Sequence, residues 1–85
     1  MKKKIILGIN IQDRIKAVKN TQKVLGNYAD IIKTRLGFHE LNEDVCSRNG
    51  LILLELFGDF QKGEKLENEL KEIGGVVVKK MVFNL

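Results

Sequence analysis

The chain has 85 residues, with 15 Lys and Arg against 11 Asp and Glu, one His, one Cys, no Pro and no Trp. A chain this short hides only roughly 60–65% of its unfolded surface, which excludes a second core, a deep enclosed active site or a solenoid. The hydrophobic fraction of 44% excludes general disorder, and the net charge of +4 splits into +6 over residues 1–42 and −2 over residues 43–85.

The first element is an apolar run, Ile5-Ile6-Leu7-Gly8-Ile9-Asn10-Ile11. Ile5, Leu7, Ile9 and Ile11 share a face at period two, and Ile6, Gly8 and Asn10 share the other, as in a central strand. Asp13 then offers a carboxylate to the free amides of a helix start. From Arg14 the period becomes helical: Ile15, Val18 and Leu25 line up with Thr21 and Gln22, and Ala17 and Val24 widen that face. Lys16, Lys19, Asn20 and Lys23 fall on the opposite side, and Gly26-Asn27 supplies a C-cap.

A second strand is expected over Asp30–Phe38, with Ile32, Thr34, Leu36 and Phe38 on one face and Ile31, Lys33 and Arg35 on the other. His39–Gly50 (HELNEDVCSRNG) reads as a polar connector ending in an Asn-Gly turn. Leu51–Phe57 (LILLELF) is apolar on both faces except at Glu55, which predicts another central strand. Gly58–Gly63 reads as a loop. Leu66, Leu70 and Ile73 then define a short helix that Gly74-Gly75 stops, and Val76–Phe83 is the last strand.

The order strand, helix, strand, strand, helix, strand predicts an α+β fold. With right-handed crossovers it closes as a ferredoxin-like βαββαβ sandwich, a four-stranded antiparallel sheet with two helices on one face and strands one and three central. One domain over residues 1–85 is expected. The lysine-led start resembles a signal peptide, but the apolar run breaks at Asn10 and no small-residue cleavage site follows. No segment approaches the ~20 apolar residues of a membrane span, and one Cys makes no internal disulfide. A soluble, cytoplasmic protein with no membrane contact is expected.

Two helices cover only one sheet face. The other is expected to carry Ile6, Gly8, Leu51, Leu53, Phe57, Val77 and Met81, interrupted by Lys33, Arg35, Glu55 and Lys79. So apolar a surface predicts burial against another copy of the chain, as a dimer or tetramer. A one-residue register slip in any strand would move its side chains to the other face.

Three groups of residues are candidates for chemistry. His39 and Cys46 are weak metal candidates: zinc or nickel wants three or four ligands, and even with Glu40, Glu43 and Asp44 one chain supplies a poor set. A polar loop with an incidental thiol is the simpler reading, and nothing gives Cys46 an oxyanion hole. Lys16, Lys19 and Lys23 form a basic stripe suited to phosphates, but no aromatic interleaves it, so a solvated helix face is preferred and nucleic acid disfavoured. Arg35, beside Gly37, is placed to hold a carboxylate across an interface, with Glu55 expected on the same face as its structural partner. Arg35, Gly37, Leu51, Leu53, Glu55 and Phe57 are thus the ligand or interface candidates. No cofactor and no catalytic residue is expected.

Arg35-Leu36-Gly37 ending the second strand, the apolar LILLEL strand, the Leu66/Leu70/Ile73 helix and Gly75-Val76-Val77-Val78-Lys79 together resemble a small bacterial family of iron-only hydrogenase system regulators. The resemblance spans nearly the whole chain through short motifs, R-x-G and (I/L)-x-G-V-x-V-K. It implies a ferredoxin-like fold akin to ACT domains and to the C-terminal domain of the nickel-responsive repressor. It also implies a non-enzymatic regulatory module that senses a small ligand at a subunit interface. The alternatives are a nucleic-acid-binding regulator using the first helix, or a metal sensor. The chain departs from the family in its long connector after Phe38-His39, and His39 and Cys46 do not reproduce the repressor's metal-ligand spacing. It begins at the first strand, with no ribbon-helix-helix before it. The loop after that strand, Asn10-Ile11-Gln12-Asp13, lacks the glycine with which ACT domains approach an amino acid.

Overall fold

The computed structural model describes residues 2–12, 14–39 and 50–85, the side chains of residues 14–16, 38 and 39 excepted. β1 (Lys3–Ile11) is followed by α1 (Arg14–Asn27), a single 3-10 turn at Ala29–Ile31, β2 (Ile32–His39), β3 (Gly50–Leu56), α2 (Phe60–Lys71) and β4 (Val76–Asn84). The strands form one antiparallel sheet in the order β2-β3-β1-β4, with β1 and β3 central. This is the ferredoxin-like α+β architecture that the element order predicts.

Alternation along the strands places the core. Leu7, Ile9 and Ile11 of β1, Ile52, Leu54 and Leu56 of β3 and Val78 of β4 point to the helix side and are buried. Against them α1 sets Ala17, Thr21 and Leu25, and α2 sets Leu66 and Leu70. Val18 and Val24 are half-buried at the rim and Gln22 is exposed, so the buried stripe of α1 is narrower than its hydropathy period implies. The N-cap expected at Asp13 lies outside the described residues.

The second helix starts earlier than the glycines of 58–63 imply. Asp59 caps it, accepting from the amides of Gln61 at 2.9 Å and Lys62 at 3.2 Å, which satisfies two of its orphan donors. Gly63 is therefore helical rather than part of a loop. It is buried against Leu56, whose Cδ1 would lie 3.4 Å from an added Cβ, so a glycine lets α2 lie close on β3. At the other end Gly75 takes φ 83°, a left-handed conformation that turns the chain from α2 into β4 and that glycine adopts without strain.

The second strand departs most from expectation. Ile32 lies opposite Leu56, but Thr34 lies opposite Glu55, so Lys33 is an extra residue, a β-bulge that breaks the register. Because side chains alternate at period two, one inserted residue exchanges the faces of everything after it. Thr34 and Leu36 consequently pair with Glu55 and Leu53 of the uncovered face, while Arg35 and Gly37 pair with Leu54 and Ile52 of the helix side. This corrects the expected placement of Lys33 and Arg35 on the uncovered face.

Candidate functional site

The sheet face away from the helices is built from alternate residues of all four strands. β1 contributes Lys4, Ile6, Gly8 and Asn10, and β3 contributes Leu51, Leu53 and Glu55, with Phe57 just beyond the strand end. β4 contributes Val77, Lys79, Met81 and Phe83, and β2 contributes Thr34 and Leu36. Leu36, Leu51, Phe57, Val77, Met81 and Phe83 are each 39–54% exposed, and Ile6 and Leu53 are half-buried between them. Interaction sites commonly form on hydrophobic surfaces of this kind. Gly8 lies at its centre, opposite Leu53 on one side and Lys79 on the other.

The charges on this face are few and partly neutralised. Glu55 accepts from the Thr34 hydroxyl at 3.3 Å and lies 3.6 Å from the Lys4 ammonium. Arg35 is not its partner, contrary to expectation: the bulge sends the guanidinium to the helix side, where Nη2 donates to Gln22 Oε1 of α1 at 2.7 Å. Of the six expected interface candidates, Leu51, Leu53, Glu55 and Phe57 share the open face. Arg35 and Gly37 leave it, and Leu36 takes their place. The signal for Leu36 was its size at a strand position, which alternation alone assigned to the core.

The other candidates separate. Lys19 and Lys23 are exposed on α1, and Lys16 belongs to the same helix. Arg35, tied to Gln22, extends this basic flank. His39 ends β2 opposite Gly50, and Cys46 lies outside the described residues. Among the described residues no three His, Cys, Asp or Glu side chains converge as a metal site, and no helix is long and apolar enough to cross a membrane.

A cleft elsewhere on the molecule has no counterpart among the site candidates singled out from the sequence. It has a volume of 420 Å³ and opens between the end of α1 and the start of α2, lined by Asn27, Tyr28, Asp59, Gln61, Lys62, Lys65 and Glu69. Lys62 is committed to Asp30 by an ion pair, and its Nζ lies 5.9 Å from the centre of the Tyr28 ring. That hydrogen bond holds the Asp30 carboxyl below the usual carboxylate range. The Tyr28 hydroxyl is pushed upward, first by its hydrogen bond to Glu69 and then by partial burial. The cleft is polar and its charges of both signs are close together, so its chemistry is that of a solvated groove.

On the helix side Glu67 ties α2 to the sheet. It is buried, accepting from Lys71 at 2.8 Å and from Lys80 of β4 at 3.0 Å. These partners, Lys71 foremost, lower its pKa against the opposing effect of burial. A carboxylate whose folded pKa is depressed contributes stability above its unfolded pKa, and that stability is lost as pH falls through the folded value. Glu67→Gln is expected to cost about 1–2 kcal/mol at neutral pH and almost nothing in acid. Urea titrations at the two pH values check this; equal stability of variant and wild type at neutral pH contradicts it.

No protein-family model and no curated protein matches the chain at a significant level. Among solved structures, the uncharacterized protein TM1266 from Thermotoga maritima is 30% identical. It matches with a TM-score of 0.82 over 98% of this chain and 100% of its own. A formyltetrahydrofolate deformylase from Pseudomonas putida KT2440 is 12% identical at a TM-score of 0.54, covering 92% of this chain and 28% of that enzyme. A dimeric ferredoxin-like protein from an uncultured marine organism is 7% identical at a TM-score of 0.52, covering 98% and 94%. The latter two share the fold alone.

Proposed function

The chain belongs to the family of the Thermotoga maritima protein TM1266, and we propose that it is a non-enzymatic regulatory module that works as a homo-oligomer and senses a small ligand between subunits. The observation that carries this reading is the open sheet face, where Leu36, Leu51, Phe57, Val77, Met81 and Phe83 are left half-exposed around Gly8. Buried against a second copy, that face becomes a core between two sheets. At the centre of that face Gly8 bears no side chain and pairs with Leu53 and Lys79, so a small ligand held there between subunits would meet an ammonium group in an apolar setting. The R-x-G motif at Arg35–Gly37 and the G-V-x-V-K motif at Gly75–Lys79 support an iron-only hydrogenase system as the regulated pathway.

Native mass spectrometry tests both halves of the proposal. An oligomer that carries a small molecule, released when Leu53→Glu separates the subunits, supports it; a wild-type monomer contradicts it.

A second reading, nucleic-acid binding through α1, draws on Lys19, Lys23 and the Arg35 side chain that the bulge brings alongside them. Under it, gel-shift retention of duplex DNA weakens steeply as salt rises and disappears in the Lys19→Glu/Lys23→Glu variant. Retention that ignores salt, or survives the double substitution, removes this reading.

A further inference from the structure

We propose that two copies of this chain also join edge to edge through β4, continuing the four-stranded sheet into one of eight strands. This contact is separate from the face-to-face packing proposed above and does not depend on it.

A four-stranded sheet has two edges, here β2 and β4. An exposed edge is a template for another strand, and proteins blunt edges with bulges, charged side chains or very short strands. β2 is blunted twice, by the bulge at Lys33 and by the exposed charges of Lys33 and Arg35. β4 is not. It runs nine residues, and its register with β1 is unbroken from Lys3 opposite Asn84 to Ile11 opposite Val76.

The direction of its free backbone groups follows from the bonds at its two ends. Gln12 N donates to Gly75 O at 2.7 Å, and Leu85 N donates to Lys2 O at 3.0 Å. In an antiparallel ladder hydrogen-bonded positions alternate, so the odd-numbered residues of β4 bond to β1. The N–H and C=O groups of Val78, Lys80, Val82 and Asn84 therefore point away from the sheet, while the outward N–H of Val76 is taken by Ile73 O at 3.3 Å. Around the last of them the strand is apolar on both faces: Met81 and Phe83 on the open side and Val82 on the helix side are 44–54% exposed.

The two lysines of β4 do not guard this edge. The Lys80 ammonium is drawn under α2 by Glu67 at 3.0 Å, and Lys79 belongs to the open face beside Gly8.

A second copy is the occupant because the strand is complementary to itself. Antiparallel pairing about a two-fold axis at Val82 sets Val82 against Val82, Met81 against Phe83, and Lys80 against Asn84. Outward-pointing even-numbered groups then meet their own kind, and no lysine faces another. The same axis at Lys79 or Lys80 would confront like charges.

Val82→Pro is the discriminating variant, because the Val82 N–H points away from β1 and its loss removes no bond of the existing ladder. Light scattering is expected to show the mass halved in Val82→Pro, with the wild-type far-ultraviolet circular dichroism. Val82→Lys, which keeps the backbone donor but projects a charge into the contact, is expected to halve it as well. Wild-type mass in a folded Val82→Lys variant overturns the edge pairing, whatever Val82→Pro does. Leu53→Glu separates the two contacts: a loss of mass there with none in the Val82 variants leaves face packing standing alone, and the reverse leaves edge pairing alone.

Discussion

Truncating Leu54 to Ala is expected to lower the unfolding free energy by about 3–4 kcal/mol. Leu54 is fully buried at the middle of β3, opposite Leu7 of β1 and within the cluster that also holds Leu66 and Leu70 of α2. The loss combines the transfer free energy of the removed carbons with the cavity they leave, and a small core backed by a rigid sheet has little freedom to close it. A domain of this length has a total stability of roughly 4–13 kcal/mol, so the variant is left close to the point of unfolding. Urea titration measures this as a lower midpoint at unchanged slope. A shift worth less than about 1 kcal/mol would show that the core is not centred here.

One residue away the expected result is the opposite. Leu53→Glu leaves the protomer within about 1 kcal/mol of wild type, because the side chain is half-buried and Lys79 lies across Gly8 from it. Association, however, is lost. Packing two copies through the open face would enclose the new carboxylates in an apolar layer, and an unpaired buried charge costs several kcal/mol. Adjacent residues with opposite phenotypes, one in protomer stability and one in self-association, distinguish the two faces of β3. A variant that unfolds like Leu54→Ala would instead mean that Leu53 is part of the protomer core.

Much of this was legible in the sequence because the determinants are local. The alternation of Ile5, Leu7, Ile9 and Ile11 fixes the inward face of β1, and Leu66 and Leu70 fix that of α2. Gly75 marks the turn into β4. The misreading of β2 has a non-local origin: Ile32, Thr34, Leu36 and Phe38 alternate cleanly, and only the pairing with β3 reveals the extra residue at Lys33. The helix start at Phe60 was obscured by Gly58 and Gly63, although Asp59 carried the capping signal. The Tyr28 cleft needed the ends of two helices brought together from distant parts of the chain. The edge character of β4 likewise depends on which strand the sheet leaves unpaired.

The bulge also changes how the charge is read. The early excess of +6 places none of Lys19, Lys23 or Arg35 on the open face; they belong to the flank formed by α1 and β2. Glu67 on α2 is absorbed by its two lysines. Among the described strand residues Lys4, Lys79 and Glu55 stand on the open face, and Lys4 pairs with Glu55. The open sheet face is thus largely hydrophobic, and the basic residues Lys19, Lys23 and Arg35 of α1 and β2 lie away from it.

The regulatory reading requires that another copy of the chain cover the open sheet face. Light scattering of the wild-type protein and of Leu53→Glu at micromolar concentration tests it most directly. A wild-type particle of at least twice the 9.7 kDa chain mass is expected, reduced in a folded Leu53→Glu variant. A wild-type particle of 9.7 kDa, or an assembly that Leu53→Glu leaves intact, would contradict it.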